Sequence, residues 1–332
     1  MCAERKIAVI GSNSFSGGDF VDLLLDDPDN RVLGISRSPE KSALFLPYRR
    51  KNSPHFSFRQ LDLNHDQGEI IALFDRFRPE YIVNFAAQSE VAPSWVHPGQ
   101  WFQTNAVSLA ELINQLKDRD YLQRYVHIST PEIYGTCTGT VTEEAPYNPS
   151  TPYAASKAAA DMLLMAYFRQ FAFPVILVRS TNVYGAHQQL FKIIPRSVIR
   201  IRACKKIQLH GGGAAIKSYI HIRDVSRGEL AAMLKGNPGD IFHLSPDGGI
   251  SIRDVVKLVC HKMGVEFDTF VEMVADRPGQ DAAYVIDSSK ARDALGWKPR
   301  IPFEEGIQEV IDWIVANWEV IAKLEHEYIH AP

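Results

Sequence analysis

Two hydrophobic periods alternate along the chain. Lys6-Ile-Ala-Val-Ile10 is an apolar, largely β-branched run, Gly11-Ser-Asn-Ser-Phe-Ser-Gly17-Gly18 follows it, and Phe20, Val21, Leu23, Leu24 and Leu25 then recur with helical spacing. The pattern predicts strand, glycine turn and helix. Short apolar runs at 31–35, 56–61, 81–85, 125–129 and 175–179 predict five more strands, and the amphipathic segments 67–77, 103–117 and 153–171 between them predict helices. That order implies βαβ units and a parallel, doubly wound sheet, an α/β fold whose ligands bind at the carboxyl ends of the strands. After about residue 186 the rhythm loosens, with Gly211-Gly-Gly213, Pro238-Gly239 and Pro278-Gly279 as punctuation. We expect residues 1–186 plus about 222–246 to form a dinucleotide-binding domain. About 187–221 plus 247–326 should form a smaller, interleaved substrate domain.

Composition narrows the function classes. A chain of 332 residues with 45% hydrophobic content can bury a large core, and a net charge of −3 offers no dedicated nucleic-acid surface. Cys2, Cys137, Cys204 and Cys260 have no paired spacing, which argues against a zinc site or disulfide framework and fits a reducing cytosol. No apolar stretch reaches membrane-spanning length, and Met1-Cys-Ala-Glu-Arg-Lys leads straight into a strand rather than reading as a signal peptide.

Candidate chemistry sits at the predicted strand ends. The turn Gly11…Ser14…Gly17 would aim backbone N–H groups and the positive end of a helix at a pyrophosphate, although Ser14 interrupts the three-glycine pattern. Thr151-Pro152 reads as an N-cap with proline at the first helical position. In the helix that follows, Tyr153 and Lys157 fall on one face. A nearby ammonium lowers a phenol's pKa, so Tyr153 could act as a base near neutral pH.

Taken in order, Gly11 to Gly17, Asp62-Leu63, Asn84-Phe-Ala-Ala-Gln-Ser89, Thr104-Asn105, Ser129-Thr-Pro-Glu-Ile-Tyr-Gly135, Tyr153 to Lys157, Arg179-Ser-Thr-Asn-Val-Tyr-Gly185, Arg277-Pro-Gly-Gln-Asp281 and Leu295-Gly-Trp-Lys-Pro299 span nearly the whole chain. With these motifs the sequence resembles the extended short-chain dehydrogenase/reductases that modify nucleotide sugars, most closely the nucleotide-sugar 4,6-dehydratases. The resemblance implies a Rossmann-type fold and a cofactor that is tightly bound and recycled. Gly11, Ser14, Phe15, Gly17, Asp62, Leu63, Ala86, Ala87 and Ser129 would line the cofactor site. Tyr153 would take the proton from the sugar's C4 hydroxyl as hydride leaves C4, Lys157 would lower its pKa and bind the nicotinamide ribose, and Thr130 would hydrogen-bond the C4 oxygen. Gln88, Asn182, Lys192, Lys217 and Arg277 would bind the nucleoside-diphosphate sugar. Helices 103–117 and 153–171, with Leu109, Leu112, Leu116, Leu163, Leu164 and Tyr167, would pair two subunits into a homodimer. No metal is implied.

Two positions bear on the reaction. Glu132 could remove the C5 proton once C4 is a ketone, which favours dehydration. Pro131 stands where many such dehydratases carry an acid, and proline can donate nothing. Either Glu132 makes both proton transfers, or Tyr134, a water or another residue supplies the acid. A nucleotide-sugar decarboxylase or epimerase remains the nearest alternative, and a non-catalytic NAD(P)-binding regulator an alternative of another class. At the end of the second predicted strand no acidic residue stands ready for the ribose hydroxyls of NAD, while Arg37 with Ser36 and Ser38 could hold a 2′-phosphate. NADP is therefore the expected cofactor, with NAD as the alternative. The basic residues Arg196, Arg200, Arg202, Lys205 and Lys206 read as a solvated helix face, and His127 and His221 as satisfied core histidines.

Overall fold

The computed structural model describes residues 4–136, 139–275 and 283–331. Seven parallel strands form the central sheet: β1 (Arg5–Ile10), β2 (Asn30–Ser36), β3 (Phe56–Gln60), β4 (Tyr81–Asn84), β5 (Arg124–Ile128), β6 (Val175–Ser180) and β7 (Ile241–Leu244). Their spatial order is β7-β6-β5-β4-β1-β2-β3. Six are the strands that the apolar runs predict, with ends shifted by a residue. β7, four residues long, was not among them.

Burial explains why the strands read as continuous apolar runs. Ile7 and Val9 face one layer, where Phe20, Val21 and Leu24 of helix Phe15–Leu24 meet Val225, Ala232 and Met233 of helix Ile222–Lys235. Ala8 and Ile10 face the other layer, built from helices Gln67–Phe77, Ser108–Leu116 and Pro152–Phe171. With both faces covered, neither set of alternating side chains is free to be polar. A third apolar cluster joins helices Ile193–Arg202, Ile252–Lys262 and Phe303–Ala316 through Val198, Val255, Val259, Ile307, Val310 and Ile314. It flanks the cleft at the carboxyl edge of the sheet.

The segment 103–117 differs from a simple helix. Gln103–Val107 is a π turn leading into Ser108–Leu116. The widened turn turns Asn105 inward, where its Nδ2 donates to Gln88 O at 3.0 Å and to Ser156 Oγ at 2.9 Å, and its Oδ1 accepts from Gln88 N at 2.9 Å. Such turns are characteristic of functional sites. Leu109, Leu112, Leu116 and Leu164 are buried against the sheet within the subunit, so they leave nothing for a partner. The exposed apolar side chains of these helices are instead Val107, Met162 and Phe171, next to Trp95, Val96 and Phe102. No helix among the described residues is long and apolar enough to cross a membrane.

Candidate active site

Two capped turns and one strand end build the site. Gly11 has φ +85°, and a Cβ there would lie 2.7 Å from Ala86 N; a Cβ on Gly17 would lie 2.3 Å from Gly11 O. Only glycine lets the turn pack this closely against the strand end. Ser14 replaces the missing middle glycine with a different function, capping helix Phe15–Leu24 by accepting from Gly17 N at 2.9 Å. That helix has no acidic residue in its first turn, so its N-terminus is electrostatically open to an anion. Asn13 Nδ2 donates to Ser38 O at 2.8 Å and Pro39 O at 2.9 Å, tying the turn to the end of β2.

On the other side, Thr151 Oγ1 accepts from Ala154 N at 3.1 Å and Pro152 stands at the first helical position, as the sequence predicts. Helix Pro152–Phe171 thereby starts where Tyr153 faces the carboxyl end of β5. After β5, Ser129-Thr130 runs into the short 3₁₀ turn Pro131–Tyr134, which carries Glu132.

These elements enclose a cavity of about 270 Å³ lined by Ser14, Phe15, Ala87, Ser129, Thr130, Glu132, Tyr153, Lys157, Asn182 and Lys192, among others. Asn182 also lines a second cavity of about 230 Å³, together with Lys217, Tyr219 and Arg196. The two are therefore adjacent. Arg37, Asp62, Leu63 and Gln88 lie outside both linings, at the ends of β2 and β3 and after β4. Arg277 lies outside the described residues.

The electrostatics depart from the simple phenol–ammonium pair. Tyr153 reaches the Thr130 hydroxyl, but burial and the Glu132 carboxylate push its phenol above the usual range. The Lys157 ammonium turns instead to the strand, donating to Ile128 O at 2.7 Å and to His127 Nε2 at 3.0 Å. Burial brings Lys157 down to about 8, against the opposing pull of Asp161. His127, which the sequence places in the core, is buried as expected but touches the site through Lys157. Its Nδ1 has no partner. His221 is buried as expected, its Nδ1 accepting from Arg223 N, while its Nε2 lies 2.9 Å from Glu309 Oε2 without hydrogen-bond geometry.

Beneath the cavity lies a network that the sequence did not disclose. Asp161 Oδ2 accepts from Ser129 Oγ at 2.8 Å and from Arg179 NH2 at 2.9 Å, both members of this ion pair being fully buried. Arg179 also holds the hydroxyls of Tyr134 and Tyr147. Tyr134 Oη further meets His243 Nε2 at 2.8 Å, and burial together with the Arg179 charge takes His243 down to about 3. Tyr134 thus turns its hydroxyl to Arg179 and His243 and lines neither cavity. Glu90 also went unnoticed in the sequence. Its carboxylate accepts from Lys192 Nζ at 2.6 Å and bears electrostatically on Tyr153.

The model of the GDP-mannose 4,6 dehydratase family matches residues 9–310. The chain belongs to that family. It is 32% identical over 329 residues to a dTDP-glucose 4,6-dehydratase of Xanthomonas campestris, covering 93% of each chain. A dTDP-glucose 4,6-dehydratase from Streptomyces venezuelae, solved with NAD bound, superposes with a TM-score of 0.87 at 29% identity, covering 95% of this chain and 98% of that one. A UDP-glucose 4-epimerase from Thermotoga maritima shares the fold, with a TM-score of 0.86 at 24% identity over 94% of this chain and 99% of its own. The motifs and the match agree: this family member is an enzyme of the extended short-chain dehydrogenase/reductase class, of nucleotide-sugar 4,6-dehydratase type. The dehydratase relative is solved with NAD bound, which gives no support to the NADP preference drawn from Arg37.

Proposed function

We propose that this enzyme converts a nucleoside-diphosphate hexose to its 4-keto-6-deoxy form, with NAD as the recycled cofactor. The observation that carries the reading is the convergence of Thr130, Glu132, Tyr153 and Lys157 on one cavity that Ser14, Phe15 and Ser16 of the capped turn also line. The dinucleotide fits there because the turn presents an acid-free helix N-terminus and glycines where a Cβ would collide. When bound, a nicotinamide dinucleotide supplies a reversible hydride acceptor.

The protein's own groups handle the protons. Thr130 and Tyr153 hold the C4 oxygen, and Tyr153 takes its proton. Lys157, anchored on Ile128 O and His127, keeps its remaining N–H for the nicotinamide ribose. Glu132, on the turn immediately after Thr130, removes the C5 proton and returns it to the departing C6 oxygen. With Pro131 inert and Tyr134 bound to Arg179, we assign both transfers to Glu132. Asn182, common to both cavities, stands where the sugar-proximal phosphate would pass, with Lys192 on one side and Lys217 on the other. We further propose a homodimer through the exposed faces carrying Val96, Val107 and Met162.

The reading is tested by incubating the purified enzyme with nucleotide sugars of several bases and hexoses and weighing the products. Loss of water supports dehydration; loss of carbon dioxide or an unchanged mass with inverted C4 would replace it with decarboxylation or epimerisation.

A further inference from the structure

The chain's C-terminal segment returns to the cleft. Beyond helix Trp318–Ile321, Glu327 Oε1 accepts from Arg196 NH2 at 3.2 Å and Arg200 NH2 at 2.9 Å, so part of the basic face read as solvated is a docking site for this segment. Tyr328 packs edge-on against Phe191, with ring centroids 5.2 Å apart. The His330 ring stacks on His97 at 5.0 Å and on Trp101 at 5.4 Å, and its two nitrogens meet Tyr328 Oη at 3.1 Å and Gln100 Oε1 at 2.6 Å. Finally, Ala331 O accepts from Arg37 NH2 at 3.0 Å and from Gln88 Nε2 at 3.1 Å.

The last contact locates the segment. Arg37 follows β2 and Gln88 follows β4, and those strands flank β1. Arg37 stands between Ser36 and Ser38, to which Asn13 of the glycine turn donates through its N–H at 2.9 Å and its Nδ2 at 2.8 Å. Gln88 stands two residues after Ala86, whose backbone N would lie 2.7 Å from a Cβ on Gly11. The Ala331 oxygen shared by these two side chains is thereby held beside the Gly11–Gly17 turn at the end of β1. The segment therefore starts on the helix Ile193–Arg202 side of the cleft and ends beside the anchors of the Gly11–Gly17 turn, where the reading above seats the dinucleotide.

We propose that residues 325–331 are a strap that closes the cofactor end of the cleft and must lift before the dinucleotide can enter or leave. The proposal rests on the reading above, in which hydride is returned every turnover and the cofactor need not exchange. A closed strap then slows exchange without slowing turnover. Its anchors suit reversible closure: one backbone carbonyl, one glutamate shared by two arginines, and one histidine in an aromatic stack, each a modest contribution in a row of contacts.

The test is to load cofactor-stripped enzyme with NADH and follow its fluorescence on mixing and on chasing with excess NAD. Wild type, a chain ending at Leu324 and full-length His330→Ala are compared. Opening the strap should raise both the association and the dissociation rate, by roughly tenfold for the shortened chain and a few-fold for His330→Ala, in line with losing several hydrogen bonds or one cluster of them. Rates within twofold of wild type in both variants would overturn the strap. Failure of wild type itself to bind NADH would remove the cofactor reading beneath it, which is a separate outcome.

Discussion

Lys157 Nζ lies 3.0 Å from Nε2 of His127, with both side chains sealed from solvent. The contact fixes the ammonium on the strand side of the site, and its burial sets a pH dependence. Lys157 titrates at about 8 in the folded protein, against 10.5 unperturbed. Below pH 8 the ammonium is charged in both states, and burying it opposes folding by about 3 kcal/mol. Between about pH 8 and 10.5 the unfolded chain binds the extra proton, so stability rises with pH across that window. Urea unfolding should show this rise in wild type and not in Lys157→Met. NAD affinity should move the opposite way, falling above pH 8 as Lys157 loses charge, and Lys157→Arg should abolish that alkaline fall.

Tyr153→Phe removes one oxygen from the cavity and no packing volume of consequence. Turnover should drop by roughly two to four orders of magnitude, the range for a general acid–base group, while NAD binding measured by calorimetry persists. Near-normal turnover would take the base function away from Tyr153.

Glu132→Gln keeps the shape of the 3₁₀ turn and loses the carboxylate. The variant should still oxidise C4 and then stall, so nicotinamide absorbance near 340 nm should build up on adding substrate. Relief from the Glu132 charge should also lower the Tyr153 phenol's pKa, since that charge pushes it upward. Dehydration at the wild-type rate by this variant would assign the C5 proton elsewhere.

Arg179 and Asp161 pair with no exposure at all, and removing one partner strands the other. Arg179→Met should destabilise the fold by about 3–5 kcal/mol, with Arg179→Met/Asp161→Leu recovering much of it. Urea midpoints of the two single variants and the double variant measure the coupling. Losses that simply add would mean the pair contributes no specific interaction.

Val96 is 70% exposed and Met162 62% exposed on helices that pack side by side. Burial of such side chains contributes about 1.5–3 kcal/mol each. Val96→Asp/Met162→Asp should shift a dimer to monomer in sedimentation at micromolar concentration with unchanged circular dichroism. A wild type that sediments as a monomer would dispose of the interface.

The sequence by itself determined whatever is written in local spacing. Strand, glycine turn and helix at the N-terminus followed from periodicity and glycine sterics, and Thr151-Pro152 with Tyr153 and Lys157 followed from capping rules and the 3.6-residue turn. What it left open depends on which distant side chains meet. Leu109, Leu112, Leu116 and Leu164 are equally apolar whether they face a sheet or a second subunit, and only the packed sheet assigns them inward. The Lys157 ammonium could approach Tyr153 or the strand, and the carbonyl of Ile128 with His127 decides for the strand. Tyr134 was a candidate acid until the buried Arg179 claimed its hydroxyl. Arg37 meets Ala331 across 294 residues of chain. No local pattern encodes such a contact, because its partner is chosen by the topology of β1, β2 and β4 and by the desolvation that closure of the cleft imposes.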